Sequence, residues 1–216
     1  MMFTKGFWQM GRLAFYIARL IRAEEALKRY SVERADLLAS LSGKTVAIVG
    51  NARALAQAEY GAKIDAHDVV IRINRAPMPQ AQSHGKRTDI LAMATRVSIQ
   101  ERNRIGARRF MWMSHKRKRL DWRVAMSPGF YLHPLSDYDD LKRRLGKQPT
   151  TGAMVIDLVS QSAAAKIDLY GFDFFASLSL SGSRSAAQTP HDFDAEAAWV
   201  SALIAADPRL TLHSME

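Results

Sequence analysis

Residues 45–51 read Thr-Val-Ala-Ile-Val-Gly-Asn, and residues 69–77 read Val-Val-Ile-Arg-Ile-Asn-Arg-Ala-Pro. Each is a short β-branched run without polar alternation that ends in a turn carrying glycine or asparagine. That pattern belongs to a strand covered on both faces, as in a parallel sheet, rather than to one half-exposed to water. Similar runs recur at Ile90–Ala94, Phe110–Met113, Ile167–Tyr170 and Leu210–Leu212. Between them lie helix-like stretches at Ala52–Ala58, Val97–Ile105, Tyr138–Leu145, Ala153–Ala165 and Asp192–Ala206. Strands alternating with helices predict an α/β fold, a Rossmann-like and mostly parallel sheet flanked by helices.

In such sheets ligands bind beyond the carboxyl ends of the strands, so the turns after the strands carry the first candidate residues. Gly50 allows close backbone approach there. The amides of Asn51 and Asn74, at the ends of neighbouring strands, can donate to and accept from the polar groups of a nucleotide. Pro149-Thr150-Thr151-Gly152 places hydroxyls and free N–H groups where a helix begins, a setting that favours anions but equally describes an ordinary cap. His191 and Glu196 form His-x-x-x-x-Glu at the start of the last helix, and a histidine titrating near neutrality can take a proton from a hydroxyl. The serine-rich stretch Ala176–Thr189 just before it reads as a lid-like loop.

Other features have blander readings. Asp137-Tyr138-Asp139 matches Asp-x-Asp metal motifs superficially, but in a polar helical stretch it reads as an N-terminal cap. The run His115-Lys116-Arg117-Lys118-Arg119, with Arg123, reads first as a solvated basic face and second as a contact for phosphates or an anionic surface.

With 216 residues the chain has enough length for one covered core, read as a domain over 43–216 with a helical appendage over 1–42. No cysteine is present, which excludes disulfides, thiolate metal sites and a cysteine nucleophile. A formal charge of +10 favours anionic partners: nucleotides, acidic glycans, acidic lipid headgroups or nucleic acid. Near the start Arg12, Arg19 and Arg22 interrupt an apolar run too often for a spanning helix, which needs roughly 20 mostly apolar residues, and no small-residue cleavage pattern indicates a secretory signal. On a helix Phe7, Met10, Ala14, Ile17 and Ile21 share a stripe beside arginines. An interfacial membrane helix and a terminal helix packed on its own domain fit this equally.

Taken in order, these segments resemble the sialylmotifs of the sialyltransferase family over most of Thr45 to Leu212. Val46 to Asn51, Tyr60-Gly61, Ile64-Asp65, His67-Asp68 and Arg72 to Pro77 look like the large sialylmotif, with Gly85 to Thr88 as its tail. Pro149 to Gly152 through Tyr170-Gly171-Phe172 is similar to the small motif, and His191 through Glu196 to the very small one. The resemblance implies a GT-A-like variant of the Rossmann sheet and a metal-independent, inverting glycosyltransferase using a CMP-activated acidic sugar of sialic acid or Kdo type. The acceptor would be a hydroxyl of a glycan or glycolipid, and no cofactor is implied. Asn51 and Asn74 would then hold the donor nucleotide, Thr150, Thr151 and Gly152 its cytidine and carboxylate region, and Phe172 would line the pocket. His191 would be the general base, with Glu196 and Gly50 in support.

Three departures accompany the likeness. The cysteine pair joining the large and small motifs in animal members is missing, with Val46 at one of its positions. No His-aromatic third motif stands between Phe172 and His191, leaving Arg184 as a stand-in for the group at the donor phosphate. The chain lacks the stem and anchor of Golgi members, so a cytoplasmic enzyme, peripheral to the inner membrane through its first helix, is expected. A binding module for CMP or acidic glycans without turnover is the alternative, and a nucleic-acid-binding protein ranks last.

Overall fold

The computed structural model describes residues 3–173 and 191–214, with side chains from residue 11 onward. In chain order the elements are α1 (Phe3–Ile21), α2 (Glu24–Lys28), α3 (Arg34–Ala39), β1 (Thr45–Val49), α4 (Gly61–Asp65), β2 (Val69–Ile73), α5 (Ala81–His84), β3 (Ile90–Met93), α6 (Ile99–Ile105), β4 (Arg109–Trp112), α7 (Trp122–Ala125), β5 (Tyr131–Leu132), α8 (Leu135–Leu145), α9 (Thr151–Ser160), β6 (Lys166–Tyr170), α10 (Phe193–Ala206) and β7 (Leu210–Leu212). The strands form one sheet in the order β5-β4-β3-β2-β1-β6-β7, and every pairing is parallel.

The continuous apolar runs are explained by two covered faces. Val46, Ile48, Val69, Ile71, Ile90, Ala92, Ile167 and Leu169 point into a core shared with α8, α9 and α10. Their alternates split into two smaller clusters on the opposite face. Ala47, Val49, Val70 and Tyr170 meet Leu55 and Ile64, while Leu91, Met93, Trp112 and Leu132 meet Phe15, Leu27, Leu120 and Val124. Between these clusters lies Arg72, 1% exposed, whose Nε and Nη2 donate to the carbonyls of Arg87 (2.9 Å) and His84 (2.6 Å). Burial lowers its pKa to about 10, so it stays charged at neutral pH.

Asp168, in the middle of β6, is fully buried and accepts from His67 Nε2 (2.7 Å), His213 Nε2 (2.8 Å) and Lys166 Nζ (2.8 Å). Burial opposes its ionisation, yet these donors outweigh it and hold the carboxyl far below the usual range. The group ties the tail of the chain, beyond β7, to the segment entering β2.

The first helix packs by one side. Phe15 is fully buried among Tyr30 (ring centroids 5.4 Å apart) and Trp122 (5.2 Å), and Arg19 Nη1 donates to the Leu120 carbonyl at 2.9 Å. Its other side leaves Leu13, Ile17, Leu20 and Ile21 at 50–67% exposure. The packed side fits the reading of a terminal helix on its own domain. Among the described residues no helix is long and apolar enough to cross a membrane.

Several local expectations differ from the structure. Residues 53–57 form a 3-10 turn instead of an α-helix, and α9 stops at Ser160. Asp137 is not a cap: Pro134 occupies that position, the helix starts at Leu135, and the Asp137 carboxylate accepts from Arg34 Nε at 3.1 Å. Strand β5 is only two residues long, too short for a periodicity to register.

Candidate active site

The sheet order reverses at β1, whose neighbours are β2 on one side and β6 on the other, and the crevice of an open parallel sheet lies at this point. Val49 is level with Arg72 and with Tyr170. One residue further Gly50 stands level with Gly171, and after another Asn51 stands level with Asn74. The two glycines touch: a Cβ on Gly50 would lie 2.2 Å from the Gly171 carbonyl oxygen, so only glycine allows the strand ends to pass this closely. Asn51 Nδ2 donates to the Ile73 carbonyl at 3.1 Å. Asn74 adopts a left-handed backbone (φ 54°), which asparagine tolerates. Its Oδ1 accepts from the Ala94 amide at 2.9 Å and its Nδ2 donates to Thr151 Oγ1 at 3.3 Å.

The segment Gln148 to Gly152 gathers most of the other expected residues. The Gln148 carbonyl accepts from His191 Nδ1 at 2.7 Å. Glu196 accepts from the Thr150 amide and hydroxyl, both at 2.7 Å, while Thr150 Oγ1 also caps α9 by accepting from the Ala153 amide at 3.0 Å. Thr151 reaches Asn74, and Gly152 lies under Phe172, where a Cβ would sit 2.7 Å from the ring. All nine residues expected from the sequence therefore converge on one rim. Ala176–Thr189, including Arg184, lies outside the described residues.

The electrostatics distinguish His191 from Glu196. A carbonyl can only accept, so His191 Nδ1 carries the proton and Nε2 is left as the basic nitrogen. Burial holds the His191 pKa below its ordinary value; the Gln148 bond raises it, and the nearby charge of Lys116 lowers it further. Burial pushes Glu196 up to about 7 despite its two bonds from Thr150.

Lys116 belongs to the basic run that reads first as a solvated face and only second as a phosphate contact, so the sequence does not single it out. The structure breaks that run up. Arg117 is 2% exposed, its guanidinium donating to both carboxylate oxygens of Glu24 and to the carbonyls of Ser114 (2.7 Å) and His133 (2.6 Å). Lys116 beside it is exposed, and its charge lowers the His191 pKa. The remaining motif residues form scaffold. Asp65 accepts from the amides of Lys86 and Arg87, and Arg87 donates to the carbonyls of Asp65, His67 and Asp68, bracing the underside of the sheet. Among the described residues no group of three His, Asp or Glu side chains is placed to hold a metal ion.

An open parallel sheet with amides, a helix N-terminus and a seated histidine at its switch point belongs to the class of α/β enzymes that handle nucleotide-linked substrates. The chain belongs to glycosyltransferase family 29, the sialyltransferase family, whose model matches residues 16–128, and is a CMP-sugar-dependent glycosyltransferase. Its fold is similar to that of a mammalian sialyltransferase solved with Gal-beta-1-3GalNAc-ortho-nitrophenol, at TM-score 0.56 and 21% identity over 79% of this chain and 69% of that one. It is also similar to the sialyltransferase CstII from Campylobacter jejuni in complex with cytidine-5'-monophosphate, at TM-score 0.53 and 15% identity over 79% of this chain and 80% of that one. No curated protein matches the chain in sequence.

Proposed function

We propose that the protein transfers an acidic sugar of sialic acid or Kdo type from its CMP ester to a hydroxyl of a glycan or glycolipid, with inversion and without a metal. The observation that supports this most is the segment Gln148 to Gly152, which contacts His191, Glu196, Asn74 and Phe172 in turn. A base and a nucleotide cradle seated on the same five residues are held at fixed separation, and positioning of this kind supplies much of a displacement's rate.

In this reading Asn51, Asn74 and the start of α9 receive the nucleotide, with Phe172 against it. The acceptor oxygen attacks the anomeric carbon, the bond from that carbon to the phosphate oxygen breaks, and CMP leaves with the electron pair. His191 Nε2 takes the acceptor proton. Positive charge for the departing phosphate comes from Lys116 and the N–H groups that open α9. Glu196 fixes Thr150 and so the angle of that helix.

The apolar outer side of α1, with Arg12 and Arg22 alongside, supports a second part of the proposal: the enzyme rests on an anionic membrane surface in the cytoplasm.

The test is CMP release by purified protein from CMP-sialic acid and from CMP-Kdo, with and without EDTA, in wild type and His191→Ala. Release that survives EDTA and is lost in the variant supports the assignment and names the donor. Release abolished by EDTA refutes the metal-free step, and full activity in the variant refutes His191 as base.

A further inference from the structure

At the ends of β2, β3 and β4 lies a cavity of about 370 Å³, which none of the nine expected site residues lines. Along the chain it neighbours Asn74: Arg75 in its wall directly follows Asn74, and Met93 directly precedes Ala94, whose amide binds the Asn74 side chain. Four arginines line it, Arg75, Arg96, Arg102 and Arg119.

Two carboxylates share the wall, but both have other partners. Glu101 completes a capping box with Ser98, which holds its pKa low, and Asp121 accepts from the amides of Arg123 and Val124. Their contacts with the arginines are long, 3.5 Å from Arg75 to Glu101 and 3.5 Å from Arg102 to Asp121. Among the described residues no carboxylate lies within ion-pair distance of Arg96 or Arg119. Trp112, a wall residue with 1% exposure, has a buried indole N–H that finds no acceptor in the protein, so its resonance reports on the packing of the wall. Arg96 Nε makes a long bond to the Arg119 carbonyl, 3.4 Å, and with four arginines against two carboxylates the wall carries an excess of positive charge, the complement of an anion with several acceptor oxygens.

We propose that this cavity is the acceptor subsite and that it selects a sugar carrying a phosphate or carboxylate. The assignment rests on the transferase reading above. Adjacency to Asn74 puts a sugar held there next to the donor, and the arginines choose it by charge.

The test uses the four indole N–H resonances of the full chain, that of Trp112 identified by its loss in Trp112→Phe. Galactose 6-phosphate, galacturonate, galactose and inorganic phosphate are titrated without donor, and CMP affinity is measured separately by calorimetry. The expected result is that one or both acidic sugars shift the Trp112 resonance saturably while galactose does not, the stronger of the two naming the anion. Arg96→Gln with Arg119→Gln, both at exposed positions, then weakens binding roughly tenfold or more and leaves CMP affinity unchanged. Equal response to galactose, no response to either acidic sugar, or inorganic phosphate bound as tightly as galactose 6-phosphate overturns the subsite. A parallel loss of CMP affinity in the double variant also overturns it, since the arginines would then serve the donor phosphate. Wild-type protein that binds acidic sugars but not CMP would refute the donor reading alone.

Discussion

Glu196 receives both the amide and the hydroxyl of Thr150, each at 2.7 Å, and thereby clamps the start of α10 to the start of α9. The carboxyl is 4% exposed and its pKa is pushed up to about 7 by burial. A carboxyl whose pKa is raised on folding stabilises the fold below its unfolded pKa and loses that contribution as pH rises through the folded value. Wild-type stability relative to Glu196→Gln should therefore fall by about 3 kcal/mol between pH 4 and 8. Urea titrations of both proteins across that range check it; parallel curves would refute the raised pKa.

Burial and Lys116 hold His191 below the ordinary histidine value, so its basic form persists into mildly acid solution. The acid limb of transfer should therefore fall below about pH 6.5. Lys116→Ala removes a cation and should move that limb upward. His191→Ala should abolish it and lower kcat roughly 10²–10⁴-fold with CMP affinity retained. Rate profiles from pH 5 to 8 decide these points.

Two glycine substitutions should separate structure from binding. In Gly50→Ala the new methyl meets a backbone carbonyl that cannot move away, so a loss of roughly 1–3 kcal/mol or more is expected. In Gly152→Ala it meets the ring of Phe172, a side chain that can swing aside. That variant should melt near wild type but bind CMP less well. Melting curves and calorimetry on the pair provide the comparison; equal melting of both variants would count against the close strand crossing.

Ile17→Glu with Leu20→Glu alters only the outer side of α1, and should abolish sedimentation with anionic vesicles while moving stability within about 0.5 kcal/mol. Unchanged sedimentation would remove the membrane proposal.

Much of the fold was legible because a parallel sheet writes itself as unbroken β-branched runs, and the turns after β1 and β2 are marked by Gly50, Asn51 and Asn74, the residues the proposal assigns to the donor. Short or context-dependent elements were not. Strand β5 has two residues, and Asp137 looked like a cap until Arg34, far away in sequence, claimed its carboxylate. The run around Arg117 is the sharpest case. Five consecutive basic or titratable residues resemble one wet surface, and the middle one, Arg117, is instead buried against Glu24, 93 positions earlier. The Arg-lined cavity escaped for the same reason, its arginines being scattered from 75 to 119.

The pair of Arg117 and Glu24 also limits how the protein can be shortened. Trimming past Glu24 would strand a buried guanidinium at the loop that carries Lys116, and trimming past Phe15 would already empty the aromatic nest of Tyr30 and Trp122. The leading helix is thus a strut of the domain that carries the rim, and the side proposed to meet a membrane is the opposite one. The packing and the proposed contact therefore separate by substitution, not by deletion.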